Sequence, residues 1–232
     1  MITARNPRPP RPALALLLFA LAAAFTAALW SAPAWARPVI YVQPLQPAPD
    51  AQALAGVVAG LRAFYPVEVK VLPAVPLPKR AWYPPRQRWR AEKLLDFLSE
   101  RLPADATKVL GLTAADISTT HGAVRDWGVL GLGTLDGKSC VISTFRTTRG
   151  VSVAVARQRL AKVAVHEVGH TFDLDHCPNR GCLMEDAMGK VATCDREDDL
   201  CPGCRKALAA KGVAVPERVV KPWPTPNSAL PK

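Results

Sequence analysis

His166-Glu-Val-Gly-His170-Thr-Phe-Asp-Leu-Asp-His176-Cys177 contains three of the chain's four histidines, at spacings that build one metal site. Two histidines four apart on a helix are offset by only about 40° around its axis, so both imidazoles leave the same face. The third arrives from beyond the helix end. The pattern is H-E-x-x-H extended to a further histidine, which makes His166, His170 and His176 candidate zinc ligands. Glu167 lies on an adjoining face, placed to act as general base. Three protein ligands leave a fourth position open, as a catalytic zinc requires.

The helix carrying this motif is expected from about Ala156, with Leu160, Val163, Ala164 and Val168 as its buried stripe. Upstream, Arg37–Leu45 and Val67–Leu72 read as strands around a helix that runs from Asp50 to about Phe64. Pro73–Pro85 holds five prolines and is expected to be an extended loop, followed by a helix from about Arg86 to Leu102. Lys108–Thr113 has the apolar character of a central strand. Trp127–Gly133 and Ser139–Phe145 read as a hairpin, and the glycines of its first strand suggest that something approaches closely. Arg146–Gly150 reads as a polar loop. These elements call for an α+β fold, a twisted mixed sheet backed by helices.

The 232 residues suit one domain with a small appendage. Arg5, Arg8 and Arg11 precede an apolar run from Ala13 to Trp30 that ends in Ala34-Trp35-Ala36. That is the layout of a signal peptide over residues 1–36, cleaved after Ala36, with a membrane anchor as the alternative. Either way the protein is expected to be exported, to the periplasm or beyond. Removing the three arginines reduces the formal charge of +11 to a modest, scattered excess. The basic and aromatic stretch Lys79–Arg90 comes with no nucleic-acid motif, so no nucleic-acid partner is expected. Attraction to an anionic envelope or membrane surface is compatible with the charge. The catalytic part is taken as residues 37–176.

After the motif the composition changes. Residues 177–212 carry Cys177, Cys182, Cys194, Cys201 and Cys204 but few large apolar residues, so this smaller subdomain needs a clip. Two close cysteine pairs suit tetrahedral zinc, whereas an exported protein also permits the disulfides Cys177–Cys182 and Cys201–Cys204. A short helix over Pro202–Lys211 closes at Gly212, and the proline-rich residues 213–232 read as an irregular tail.

The run from His166 through Cys177, Cys182 and Met184 to Cys201-Pro-Gly-Cys204 resembles the archaemetzincins, a branch of the metzincin zinc metalloproteases. In that family the histidine motif is followed by C-x4-C-x-M and, about seventeen residues on, by C-x-x-C; here the interval is sixteen. Weaker likeness extends to Tyr83–Trp89, Val109–Asp116 and Cys140–Ser143. The resemblance implies a metzincin-like fold and peptide-bond hydrolysis, with His166, His170 and His176 on a catalytic zinc and Glu167 as base. It also implies Met184 in a Met-turn beneath the metal, a second, structural zinc on Cys177, Cys182, Cys201 and Cys204, and the strand Trp127–Gly133 as the upper rim of a cleft.

Three features depart from the family pattern. Position 173, commonly glycine, is Asp173, a residue that tolerates the left-handed turn at small cost. The export segment is unusual for a family that is generally intracellular. Cys140 and Cys194 are extra to the cluster, either paired with each other or buried as thiols. The sequence therefore suggests a monomeric zinc peptidase acting on a peptide or protein. A non-catalytic zinc- or peptide-binding protein of the same fold is the alternative, and a C-x-x-C thiol–disulfide oxidoreductase is a remoter one.

Overall fold

The computed structural model describes residues 37–215 and Trp223. The expected signal peptide, residues 1–36, lies outside the described residues, as does most of the tail. The chain runs β1 (Val39–Gln46), α1 (Ala51–Phe64), β2 (Glu68–Val71), β3 (Val75–Pro76), β4 (Trp82–Tyr83), β5 (Arg88–Arg90), α2 (Ala91–Glu100) and β6 (Lys108–Thr113). It continues through β7 (Ile117–His121), β8 (Val124–Gly128), β9 (Gly131–Gly133), β10 (Ser139–Ser143), α3 (Thr144–Thr147), α4 (Val153–Thr171), α5 (Thr193–Arg196) and α6 (Pro202–Ala210).

The main sheet has the order β2-β1-β6-β10-β9, with β3 also beside β1. All its pairings are parallel except β9 against β10. Alternation along each strand sorts side chains between two faces. Ile40, Val42, Leu110, Leu112 and Ile142 meet α1 and α4 on one face. Leu45, Val109 and Val141 meet Leu94, Leu95 and Leu98 of α2 on the other. Burying each such side chain contributes about 1.5–3 kcal/mol before entropy is charged against it. The helices cover a mixed sheet on both faces, which fits the expected α+β class.

A second sheet, β4-β5-β7-β8, differs from the sequence reading. The proline-rich loop contains short strand pieces, and α2 begins at Ala91 rather than near Arg86, because Gln87 takes φ 52 and breaks the chain direction. Trp127 and Gly128 end β8 in this second sheet, so only Gly131–Gly133 forms the hairpin partner of β10. The supposed polar loop after Phe145 includes the helical turn α3. Arg88 bridges Asp116 at 2.8 Å and Asp126 at 2.7 Å, and Arg146 reaches Asp116 at 2.8 Å. These ion pairs tie the second sheet to α3.

The Cys-rich segment packs into the same core as α1 and α4 through Leu183, Met184, Leu200 and Leu208. Trp223 stacks on Phe64 with centroids 5.7 Å apart and planes 8° from parallel. The tail was read as irregular, and at this position it packs against the core. Among the described residues, no helix is long and apolar enough to cross a membrane.

Candidate metal centre

α4 starts at Ser152, whose hydroxyl accepts from the Val155 N–H, a helix N-cap that supplies one of the orphan donors. Its buried stripe matches the expected one. At the far end the helix closes at Asp173, with φ 68. The Leu174 N–H donates to the Gly169 carbonyl at 3.1 Å and the Asp173 N–H to that of His170 at 2.9 Å, a Schellman closure. The turn expected at position 173 therefore forms without glycine. Lys211 also pairs with the Asp173 carboxylate at 2.5 Å. Reversal of the chain here brings His176 back over the helix.

His166, His170 and His176 converge so that one ring nitrogen from each lies within 4.8 Å of the others. His166 Nδ1 is 2.6 Å from the Leu183 carbonyl and His170 Nδ1 is 2.7 Å from the Leu174 carbonyl. A carbonyl only accepts, so each Nδ1 carries the proton and each Nε2 presents a lone pair. The two Nε2 atoms are 3.0 Å apart. Asp186 faces His176 Nδ1 at 3.8 Å. Burial, reinforced by His170, pushes the His166 imidazole down to about 3, and burial lowers His170 as well. Neutral imidazoles are what a zinc ion needs, so this donor set fits that metal.

Glu167 is buried beneath β9. Burial pushes its carboxyl up to about 8, against the opposing hydrogen bond donated by the Gly133 N–H. A Cβ on Gly131 would stand 2.6 Å from Glu167 Cγ and Oε1, and one on Gly133 would stand 2.6 Å from the Glu167 carbonyl oxygen. The close approach read from the glycines is the approach of β9 to this glutamate. On the opposite side of the helix, Met184 is fully buried. Its Sδ would be 2.7 Å from a Cβ at position 169, which accounts for Gly169 inside the motif, a packing role the sequence reading did not assign.

The cleft above these groups, about 320 Å³, is lined by β9, by Trp127 and His121 of the second sheet, and by Asp186–Gly189 after Met184. It also reaches Val163, Cys194 and Glu197. The rim expected from Trp127 to Gly133 is therefore present, though split between two sheets. His121 was read as a surface histidine; it is exposed and sits at the cleft mouth, 5.5 Å from Trp127.

Cys177, Cys182, Cys201 and Cys204 form a second cluster, all sulfurs within 4.8 Å. Cys177 and Cys201 are 3.7 Å apart, and Cys182 and Cys204 are 3.8 Å apart. Four thiolates about 2.3 Å from a tetrahedral zinc stand roughly 3.8 Å from one another. None of the six cysteines is in a disulfide, and Cys140 and Cys194 are buried apart from the cluster. Asn179 N–H and Nδ2 donate to Cys177 and Cys201, and the Cys201 N–H donates to Cys182. The hydrogen bond with Cys204 draws the Cys182 thiol down, toward the thiolate form a metal ligand takes. The donor set suits zinc.

The sequence matches the model of peptidase family M54 over residues 68–210. It is 34% identical over 158 residues to the archaemetzincin of Haloquadratum walsbyi, covering 65% of this chain and 88% of that one. The crystal structure of archaemetzincin from Methanopyrus kandleri superposes with a TM-score of 0.66 at 26% identity, covering 78% of this chain and 98% of that one. The Archaeoglobus fulgidus archaemetzincin, solved with malonate, gives 0.63 at 29% identity, covering 73% and 99%. The chain therefore belongs to peptidase family M54, the archaemetzincins, and is a zinc metallopeptidase.

Proposed function

We propose that the protein hydrolyses peptide bonds in the cleft below β9, with Glu167 as general base and His166, His170 and His176 holding the catalytic zinc. When bound, zinc supplies Lewis-acid chemistry, lowering the pKa of a water towards neutrality and polarising a scissile carbonyl. The observation that carries the reading is the placement of Glu167. It sits between two histidines of one helical face, buried under β9 with the Gly133 N–H on its carboxylate, placed to take and return a proton. It accepts the proton of the attacking water and passes it to the leaving amine. The Gly133 N–H steers the carboxylate, and β9 offers its free edge for an extended substrate to add as a strand.

Met184 supports the helix from beneath, and the four-cysteine cluster fixes the segment that carries it through a structural zinc. The reading takes the protein as an exported monomer. Export rests on the basic, apolar and small-residue sequence of residues 1–36. The test is zinc content and turnover measured together on Glu167→Ala, a change that removes the base and leaves every candidate ligand in place.

A further inference from the structure

Resting on that peptidase reading, we propose that the recess of the cleft floored by Glu197 is the subsite for a lysine or arginine side chain of the substrate beside the scissile bond. Two cationic side chains of α4 hold the segment that carries Glu197. Arg159 grips Asp195 with both its Nε and Nη2, at 2.7 and 2.6 Å. Lys162 Nζ donates to the carbonyls of Cys194 at 2.8 Å and Glu197 at 2.5 Å. The segment Cys194–Glu197 is thereby pinned to α4 about one turn before His166, and that turn contributes Val163 to the cleft lining.

Glu197 is 3% exposed, lines the cleft, and its carboxylate receives no hydrogen bond among the described residues. The Lys162 ammonium lies close enough to act on this carboxylate through its charge, but its hydrogen bonds go to main-chain carbonyls. Arg196 is held by Glu185. A buried acid without a donor is costly to ionise, and burial pushes Glu197 up to about 8 although the nearby Lys162 charge opposes this. A cation entering the recess restores the charge and satisfies the carboxylate.

The walls select which cation enters. Val163, Leu130 and Met188 are apolar parts of the lining, and lysine and arginine carry long apolar stems below a charged head. A substrate's free α-amine has no such stem. An acid on the floor of an otherwise apolar recess sets basic specificity in the same way in unrelated peptidases.

The test uses the zinc-loaded full chain and N-terminally blocked peptides that differ only beside the scissile bond, carrying lysine, arginine, norleucine or glutamate. The expected wild-type ratio of kcat/KM for lysine over norleucine is at least about tenfold. Glu197→Gln brings that ratio close to one, and Glu197→Lys shifts preference towards glutamate; zinc content shows that each variant is folded. In parallel, zinc-loaded Glu167→Ala binds the lysine peptide more tightly than its norleucine twin. Equal wild-type ratios, a preference surviving in Glu197→Gln, or a preference that requires an unblocked N-terminus would each overturn the subsite. If no peptide is cleaved, the hydrolytic reading fails, and the binding comparison alone decides the subsite: equal binding overturns it and tighter lysine binding upholds it.

Discussion

Gly131 stands directly over Glu167, so close that a Cβ there would lie 2.6 Å from the glutamate's Oε1. The edge strand and the acid are fitted to each other without a spare methyl's width. Gly131→Ala must push β9 away or turn Glu167 aside. A misplacement of about 1 Å at a reacting group costs roughly a hundredfold in rate. The expected result is a fall of that order in kcat/KM with zinc content unchanged, read by peptide turnover and metal analysis. Unaltered turnover would show that the fit is not needed.

The cysteine cluster should bind its own metal. Metal analysis is expected to find two zinc ions per chain in the wild type and one in Cys182→Ser. Loss of a structural zinc removes folding free energy, so the thermal midpoint of the variant should drop by roughly 10 °C. One zinc per chain in both proteins would assign the thiols another role.

Asp173 holds φ 68 at the end of α4. Glycine adopts that conformation freely, whereas a β-branched side chain pays more than aspartate does. Asp173→Gly should be neutral or stabilising by up to about 1 kcal/mol, the gain being offset by the lost contact with Lys211. Asp173→Val should destabilise by about 1–2 kcal/mol and weaken zinc binding, because the reversal that returns His176 is strained. Denaturant unfolding and zinc titration on both variants check this.

Glu197 makes stability depend on pH in a defined direction. Its carboxyl titrates at about 8 when folded, against an ordinary value of 4.5. Between these values the folded state holds a proton that the unfolded chain has released, so stability is lost as pH rises through the window. Lys162, Glu185, Arg196 and Cys182 share its surroundings, and they are common to the wild type and Glu197→Gln. The stability advantage of Glu197→Gln should therefore be smallest near pH 4.5, grow by at least about 1 kcal/mol towards pH 8, and level off above it. Denaturant midpoints across that range measure it.

The motif and its helix were legible because a 3.6-residue period and fixed ligand spacing are local properties. The parallel core strands were legible for a similar reason: Ile40, Val42, Leu110 and Leu112 are apolar runs of ordinary length. The second sheet was not, because β4 and β5 are two or three residues long and gain their meaning only by pairing with distant β7. Arg88 fell within the expected helix, yet it makes ion pairs with Asp116 and Asp126 that no local pattern announces. Glu197 was hidden within the acidic run Asp195–Asp199, where sequence alone cannot separate a buried acid from exposed ones. A signal did exist on α4, where Arg159 and Lys162 flank the apolar stripe and both turn out to be buried. Charged residues on a buried helix mark the segment they must hold.

The decisive measurement is the paired assay of zinc content and peptide turnover on Glu167→Ala beside the wild type. Catalytic zinc is expected to remain at wild-type stoichiometry while turnover falls by at least about a thousandfold. A variant that keeps its zinc and cleaves peptide at the wild-type rate would contradict the role given to Glu167.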